Sequence, residues 1–164
     1  MKSVFIFILS LFFFVNIFPQ EGNKKAPNFK LENVNGGSIE LNKNLGKGPV
    51  LISFWATWCK PCIEELTEYQ KIFNSYKDKG FNIFAISTDN EKTIARVKPF
   101  VKSKQYPFTV LLDINSDIVK KYYAANVPFS VLLDRNGNIV YTHTGYMKGD
   151  EKIMEQKIVE LLNK

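Results

Sequence analysis

Two cysteines, Cys59 and Cys62, stand three positions apart in the segment Trp-Cys-Lys-Pro-Cys. They follow an apolar run at residues 50–56 and open a stretch with helical periodicity. Residues three apart on a helix are neighbours, so the two sulfurs can form a disulfide bond. The first turn of a helix carries unpaired N–H groups and a partial positive charge, which lower the pKa of a cysteine there. The spacing therefore predicts a redox-active dithiol, with Cys59 as the nucleophile and Cys62 as the second thiol.

Two further residues of this segment, Trp58 and Pro61, are predicted to contact a partner molecule. Trp58 supplies apolar surface beside the sulfurs. Pro61 falls in the first helical turn, where its missing N–H removes no hydrogen bond. Lys60 adds a positive charge between the two cysteines.

The cysteine pair has two alternative uses, in a zinc site or in a structural disulfide. A structural zinc site needs about four ligands, mostly Cys and His, whereas the chain offers two cysteines and the single histidine His143. The sequence therefore predicts no metal. A purely structural disulfide stays open as an alternative, although a bridge across so short a loop constrains the unfolded chain little.

The N-terminus is predicted to direct export. Residues 1–20 have one charge, Lys2, and residues 4–18 are nearly all apolar. This run is shorter than the roughly 20 residues that span a bilayer, which favours a signal peptide, with a retained anchor as the alternative. Residues 21–25 are predicted to be a linker, and 26–164 the folded domain. Export places the chain in the bacterial periplasm or on the outer face of the cytoplasmic membrane, where disulfides persist.

The remaining sequence predicts alternating strands and helices in one domain. An Asn-Gly-Gly at 35–37 within residues 26–45 and an Asn-Gly at 136–137 predict β-hairpins. Gly80 is expected to end the first helix, and Pro99 to kink or shorten the second. Strands are predicted at 50–56, 81–87, 108–112, 129–133 and 139–143, and helices at 60–79, 91–102, 116–123 and 150–162. This order predicts an α/β fold, with a central mixed sheet and helices on both faces.

The segment Phe-Trp-Ala-Thr-Trp-Cys-Lys-Pro-Cys at residues 54–62 resembles the active-site segment of thioredoxins. It is most similar to the TlpA/ResA-like branch of exported thiol–disulfide oxidoreductases, which carries Trp-Cys-x-Pro-Cys-x-x-Glu-x-Pro. Glu65 matches the Glu of that pattern, and Thr67 stands where the branch has its second Pro. The resemblance covers residues 26–164. It implies a thioredoxin-like fold with an extra N-terminal β-hairpin and a strand–helix insertion before a cis-proline loop.

The resemblance also implies roles for residues outside the cysteine segment. It implies that the bond between Val127 and Pro128 is cis, and that both residues bind the partner beside the cysteines. Thioredoxins have a buried Asp at the position of Ser53, so no proton-transfer role is carried over to Ser53. The branch has an acidic residue after its second strand, where Asp89 falls here. Asp89 is therefore predicted to accept the proton of Cys62, with a helix N-cap as the alternative.

These residues together predict a thiol–disulfide oxidoreductase that exchanges its Cys59–Cys62 pair with protein disulfides or dithiols, more as a reductant than as an oxidant. The chain is predicted to need no cofactor and to act as a monomer, and a separate redox partner is expected to reset the cysteines. Membrane attachment through the N-terminal segment stays open. The 22 Lys and Arg residues are scattered among 16 Asp and Glu, which argues against nucleic-acid binding. A non-catalytic interaction domain stays open. So does a peroxiredoxin-like thiol peroxidase, although Thr57 is out of register with that class's Pro-x-x-x-Thr-x-x-Cys.

Overall fold

The computed structural model describes residues 24–164. The predicted signal segment at 1–20 lies outside these described residues, as do residues 21–23 of the predicted linker. Within the described part, no helix is both long and apolar enough to cross a membrane.

The first described residues are already tied to the domain. The N–H of Ile139 donates to the carbonyl oxygen of Lys24 at 2.9 Å. Lys25 pairs with Asn138 in an isolated antiparallel bridge. The ordered fold therefore includes the last two residues of the predicted linker.

Seven strands form one mixed sheet: β1 (Lys30–Asn33), β2 (Ser38–Glu40), β3 (Val50–Trp55), β4 (Asn82–Ser87), β5 (Thr109–Leu112), β6 (Phe129–Leu133) and β7 (Ile139–Thr144). Their order across the sheet is β2-β1-β5-β4-β3-β6-β7. β3 is buried along its whole length, as its unbroken apolar run predicts. It pairs in parallel with β4 and antiparallel with β6. At the sheet's two ends, β1 pairs with β2 and β6 with β7, both antiparallel.

The described residues form four α-helices: α1 (Lys60–Tyr76), α2 (Val97–Lys104), α3 (Asp117–Tyr122) and α4 (Asp150–Leu162). The first three connect successive strands, and α4 follows β7. α1 continues into a short 3-10 turn, Lys77–Lys79. Gly80 follows with φ of 95°, a left-handed conformation that glycine adopts without a steric cost. The predicted end of the first helix is therefore confirmed.

The prediction for the second helix, residues 91–102, is wrong at its beginning. α2 starts at Val97, after a 3-10 turn at Ile94–Arg96. The carbonyl oxygen of Asn90 accepts the N–H of Ile94 at 2.8 Å, so the chain closes a turn there. Pro99 lies in the first turn of α2, where no backbone hydrogen bond is lost. The proline thus marks the start of a shortened helix.

Apolar clusters cover both faces of the sheet. α1, α2 and α4 pack on one face through residues such as Leu66, Val101 and Ile158. α3 packs on the other face together with Phe29 and Leu41 from the N-terminal region. The predicted mixed sheet with helices on both faces is confirmed.

The segments that carry the predicted site residues lie at one edge of the sheet. Because β3 and β4 are parallel, Trp55 and Ser87 end side by side. β6 runs the other way, and its first residue, Phe129, pairs with Phe54 near the end of β3. We call this the cysteine edge. It comprises the loops after β3 and β4, the loop before β6 and the loop after β7.

Candidate active site

Cys59 and Cys62 form a disulfide at the start of α1, with their Cα atoms 5.3 Å apart. Cys59 is the N-cap of the helix, and its sulfur accepts the N–H of Cys62 at 3.3 Å. Pro61 is in the first turn, as predicted. The Cys59 sulfur therefore lies where the helix presents unpaired N–H groups and a partial positive charge.

The surroundings of the two sulfurs differ. Cys59 is 5% exposed and Cys62 is fully buried, so an external reactant reaches Cys59 first. Trp58, directly before Cys59, is 62% exposed although it is a large aromatic side chain. Pro61 and Lys60 are exposed as well. The disulfide thus opens onto a surface with both an aromatic and a cationic side chain.

The Val127–Pro128 bond is cis and lies at the cysteine edge, directly before β6. The carbonyl oxygen of Pro128 accepts the N–H of Gly145 at 2.8 Å, so this loop is joined to the loop after β7. Val127 forms no backbone–backbone hydrogen bond with another described residue. Its N–H and C=O groups therefore have no backbone partner among the described residues.

The loop after β7 presents a second exposed apolar side chain that the sequence did not single out. Met147 is 75% exposed and lies two residues beyond Gly145. Its N–H donates to the Asp150 carboxylate at 2.8 Å, and His143 Nε2 lies 3.1 Å from the same carboxylate oxygen. The loop is held in place by these contacts while the methionine side chain projects into solvent.

Asp89 is fully buried and its carboxylate binds the loop before the cysteines. The N–H of Thr57 donates to Oδ2 at 2.9 Å and the Thr57 hydroxyl donates to Oδ1 at 2.6 Å. The hydroxyl of Ser87 also donates to Oδ2, at 2.9 Å. No helix begins next to Asp89, and the N-cap alternative is wrong because Asn90 makes the following turn instead.

A second buried carboxyl group, Glu65, lies one turn beyond Cys62 on α1 and is 1% exposed. Tyr69 donates its hydroxyl hydrogen to Glu65 Oε1 at 3.0 Å. Ser53 and Ser130 donate to Oε2, each at 3.3 Å. Three neighbouring elements, β3, α1 and β6, therefore supply a polar cluster inside the apolar core beneath the disulfide helix.

Burial raises the pKa of Glu65 from 4.5 to about 7, although the hydroxyl groups of Tyr69, Ser53 and Ser130 oppose this shift. The pKa of Tyr69 is also raised, first by burial and then by the nearby Glu65. A carboxyl group with such a pKa can hold or release a proton near neutral pH. From the sequence, Glu65 is notable only because it matches the Glu of the Trp-Cys-x-Pro-Cys-x-x-Glu pattern. Its position three residues after Cys62 is the only feature that could have pointed to it.

The described residues contain no group of three or more His, Cys, Asp and Glu side chains that could hold a metal ion. At the cysteine edge, the structure brings together two sulfurs, two buried carboxyl groups and the surrounding hydroxyls. Among the predicted site residues, the structure brings Asp89 against the Cys59 loop through Thr57. It also brings the Val127–Pro128 loop to the same edge.

A sheet of this order, a Cys-x-x-Cys disulfide at a helix start and a cis-proline at the same edge define the thioredoxin-like class, which confirms the predicted fold. A solved structure agrees, that of an uncharacterized thioredoxin-like protein from Porphyromonas gingivalis. It is 37% identical, covers 86% of this chain and 95% of its own, and has a TM-score of 0.72. The chain belongs to the AhpC/TSA family, whose model matches residues 23–142.

Two bacterial proteins with similar sequences show which proteins this chain resembles. The thiol-disulfide oxidoreductase ResA of Bacillus thuringiensis subsp. konkukian is 41% identical over 102 residues, which are 62% of this chain and 57% of that protein. The ResA of Halalkalibacterium halodurans is 32% identical over 151 residues, covering 92% and 82% of the two chains. The alignment thus spans little more than half of the first relative and most of the second.

Proposed function

We propose that this chain is a thiol–disulfide oxidoreductase that exchanges the Cys59–Cys62 pair with disulfides or dithiols of partner proteins. One observation carries the proposal. The more exposed sulfur of the pair, that of Cys59, caps the N-terminus of α1 and accepts the N–H of Cys62. Helix-end N–H groups stabilise a thiolate, which is the reactive form of a cysteine. The names of the ResA relatives support the same chemistry.

The exchange proceeds in two balanced steps when the chain acts as the reductant. The Cys59 thiolate attacks one sulfur of the partner disulfide, forming a mixed disulfide and releasing the partner's other sulfur as a thiolate. Cys62 then loses its proton and attacks the Cys59 sulfur. The partner leaves as a dithiol, and the Cys59–Cys62 disulfide forms. A separate dithiol must then reduce this disulfide.

Two buried carboxyl groups are candidates to accept the Cys62 proton, Asp89 and Glu65. Glu65 lies on the same helix as Cys62 and its pKa of about 7 suits proton transfer near neutral pH. Asp89 accepts two of its three hydrogen bonds from Thr57, in the loop that leads to Cys59. We assign to Glu65 the role of accepting the Cys62 proton. We assign to Asp89 the positioning of the loop that carries Cys59. The predicted proton role of Asp89 is tested by its Asn variant below.

The partner is proposed to bind as an extended peptide across the cysteine edge. Trp58 and Met147 offer apolar side chains, and Val127 offers a free N–H and C=O for backbone pairing. Pairing through backbone groups tolerates different partner sequences. Pro128 contributes by carrying no N–H and no reactive side chain next to the sulfurs. Pro61 lies on the exposed side of the same surface.

The chain is further proposed to act outside the cytoplasm, in the periplasm or on the outer face of the membrane. The apolar sequence at residues 4–18 supports this proposal. It is proposed to act as a monomer, because one chain holds both cysteines of the exchange.

Trapping of mixed disulfides tests the proposed exchange. Cys62→Ser is expected to accumulate a mixed disulfide on Cys59 with a disulfide-containing protein, whereas Cys59→Ser is expected to accumulate none. In the reduced protein, Cys59 is expected to react faster than Cys62 with iodoacetamide near neutral pH. The opposite order of alkylation would contradict the assignment of the nucleophile.

A redox titration separates the oxidoreductase from the structural-disulfide alternative. The Cys59–Cys62 pair is expected to equilibrate with glutathione or dithiothreitol, while the fold is retained in both states. Structural disulfides of exported proteins have potentials below about −300 mV and resist the glutathione pool. A pair that stays oxidised throughout the titration would therefore support a non-catalytic domain.

A further inference from the structure

The edge of the sheet opposite the cysteines carries a concentration of positive charge. Three loops meet there because β3 and β4 start side by side, with Val50 paired to Asn82, and β6 ends beside them, with Leu133 paired to Val50. We call this the lysine edge. It comprises the loops at residues 45–49, 77–81 and 134–138 together with Lys24 and Lys25.

Contacts between these segments make the lysine edge one continuous surface. The N–H of Gly46 donates to the carbonyl oxygen of Arg135 at 2.9 Å. Gly48 and Gly80 approach so closely that a side chain on either would meet the backbone of the other loop. The Lys25 ammonium donates to the carbonyl oxygen of Asn136 at 2.6 Å.

The charge of this surface is strongly unbalanced. Only two acidic side chains belong to it, and Asp134 already accepts hydrogen bonds from the N–H groups of Asn136 and Asn138. The other acid, Asp78, is exposed. None of the basic side chains forms a salt bridge with another described residue. Six exposed basic residues contribute: Lys24, Lys25, Lys47, Lys77, Lys79 and Arg135.

Two observations indicate a lipid surface as the partner. The apolar sequence at residues 4–18 ends six residues before Lys24, and six residues span at most about 20 Å. In the retained-anchor alternative, that sequence therefore keeps the lysine edge close to the headgroups. Tyr123 is 83% exposed and lies beside Lys24, whose ammonium is 6.0 Å from the centre of its ring. Tyrosine is enriched at the membrane–water interface, where its ring sits at the level of the headgroups.

We propose that the lysine edge docks on the anionic phospholipid headgroups of a membrane, with the cysteine edge directed away from the bilayer. β3 has six residues, so the two edges are about 20 Å apart. Docking in this way leaves the Cys59–Cys62 pair accessible to partner proteins. The proposal is independent of the redox chemistry, because none of the residues of the lysine edge belongs to the candidate active site.

Vesicle co-sedimentation of the full chain tests the proposal. Binding to vesicles of phosphatidylcholine and phosphatidylglycerol at 3:1 is compared with binding to phosphatidylcholine alone, which isolates the electrostatic part from any contribution of the apolar N-terminal sequence. Each basic side chain near an anionic surface contributes about fivefold to the partition coefficient. The variant Lys47→Gln/Lys79→Gln/Arg135→Gln is therefore expected to lose at least about tenfold of the preference for anionic vesicles.

A charge-matched variant, Lys92→Gln/Lys98→Gln/Lys148→Gln, is the control, because these lysines are exposed and lie outside the lysine edge. It is expected to keep most of the preference, and 0.5 M salt is expected to abolish the preference of the wild type. Circular dichroism checks that both variants fold. Equal losses in the two variants, a preference that survives salt, or unchanged binding of the lysine-edge variant would each overturn the proposal. The last result would direct the search to an acidic protein partner instead.

Discussion

Replacing Glu65 by Gln tests how the buried carboxyl group affects stability. Glu65 has a pKa of about 7 in the folded protein against 4.5 without the protein environment, and the first cause is burial. Gln keeps the size of the side chain. Its amide oxygen can still accept from Tyr69, and its amide NH2 group can donate to the hydroxyl oxygens of Ser53 and Ser130. The substitution therefore removes the titration and leaves most of the packing in place.

The sign and size of the effect follow from the two pKa values. Below about pH 4.5 the carboxyl group is protonated in both states, and its full contribution to stability is present. Between about pH 4.5 and 7 the unfolded chain releases the proton while the folded chain retains it, so the free energy of unfolding falls as the pH rises. One pKa unit corresponds to about 1.4 kcal/mol, so the loss amounts to about 3 kcal/mol by pH 8.

Urea denaturation of the oxidised protein measures this effect at several pH values from 4 to 8. Wild type and Glu65→Gln are expected to differ little near pH 4, whereas the variant is expected to be more stable near pH 8 by about 3 kcal/mol. Glu64→Gln, at the exposed neighbouring position, is the control and is expected to follow the wild type. A difference between wild type and Glu65→Gln that does not change with pH would refute the reasoning.

Other predictions concern the cysteine edge. Asp89→Asn is expected to slow exchange and to cost about 2 kcal/mol of stability, because it weakens charged hydrogen bonds to the loop before Cys59; slower resolution of the mixed disulfide with full stability would instead favour a proton role. Pro128→Ala is expected to reduce the rate of partner reduction while Cys59 stays reactive to iodoacetamide, and an unchanged rate would argue against partner binding there. Trp58→Ala and Met147→Ala are each expected to raise KM for a protein disulfide more than for a small one, and equal changes would exclude a peptide-binding role. Wild type is expected to consume hydrogen peroxide slowly compared with protein disulfides, and the reverse preference would support the peroxidase alternative.

Much of the fold could be predicted because its signals are local. The buried run of β3, the apolar periodicity of α1 and the left-handed Gly80 are properties of neighbouring residues. The position of Cys59 at the start of α1 is of the same kind, because helix geometry relates residues three apart without any tertiary contact. The start of α2 was missed because an Asn90 turn replaced the first helical turn.

The sequence by itself determined the positions of the two cysteines, the helix that begins beside them and the succession of strands and helices. The tertiary structure alone decided what surrounds the pair. Glu65 meets Ser130 across 65 positions, and Thr57 meets Asp89 across 32 positions. Such contacts depend on which strands are neighbours and in which register, and periodicity within a segment carries no information about either. Tertiary structure likewise buried Glu65, and burial is the physical reason why an ordinary carboxyl group acquires a pKa near neutrality.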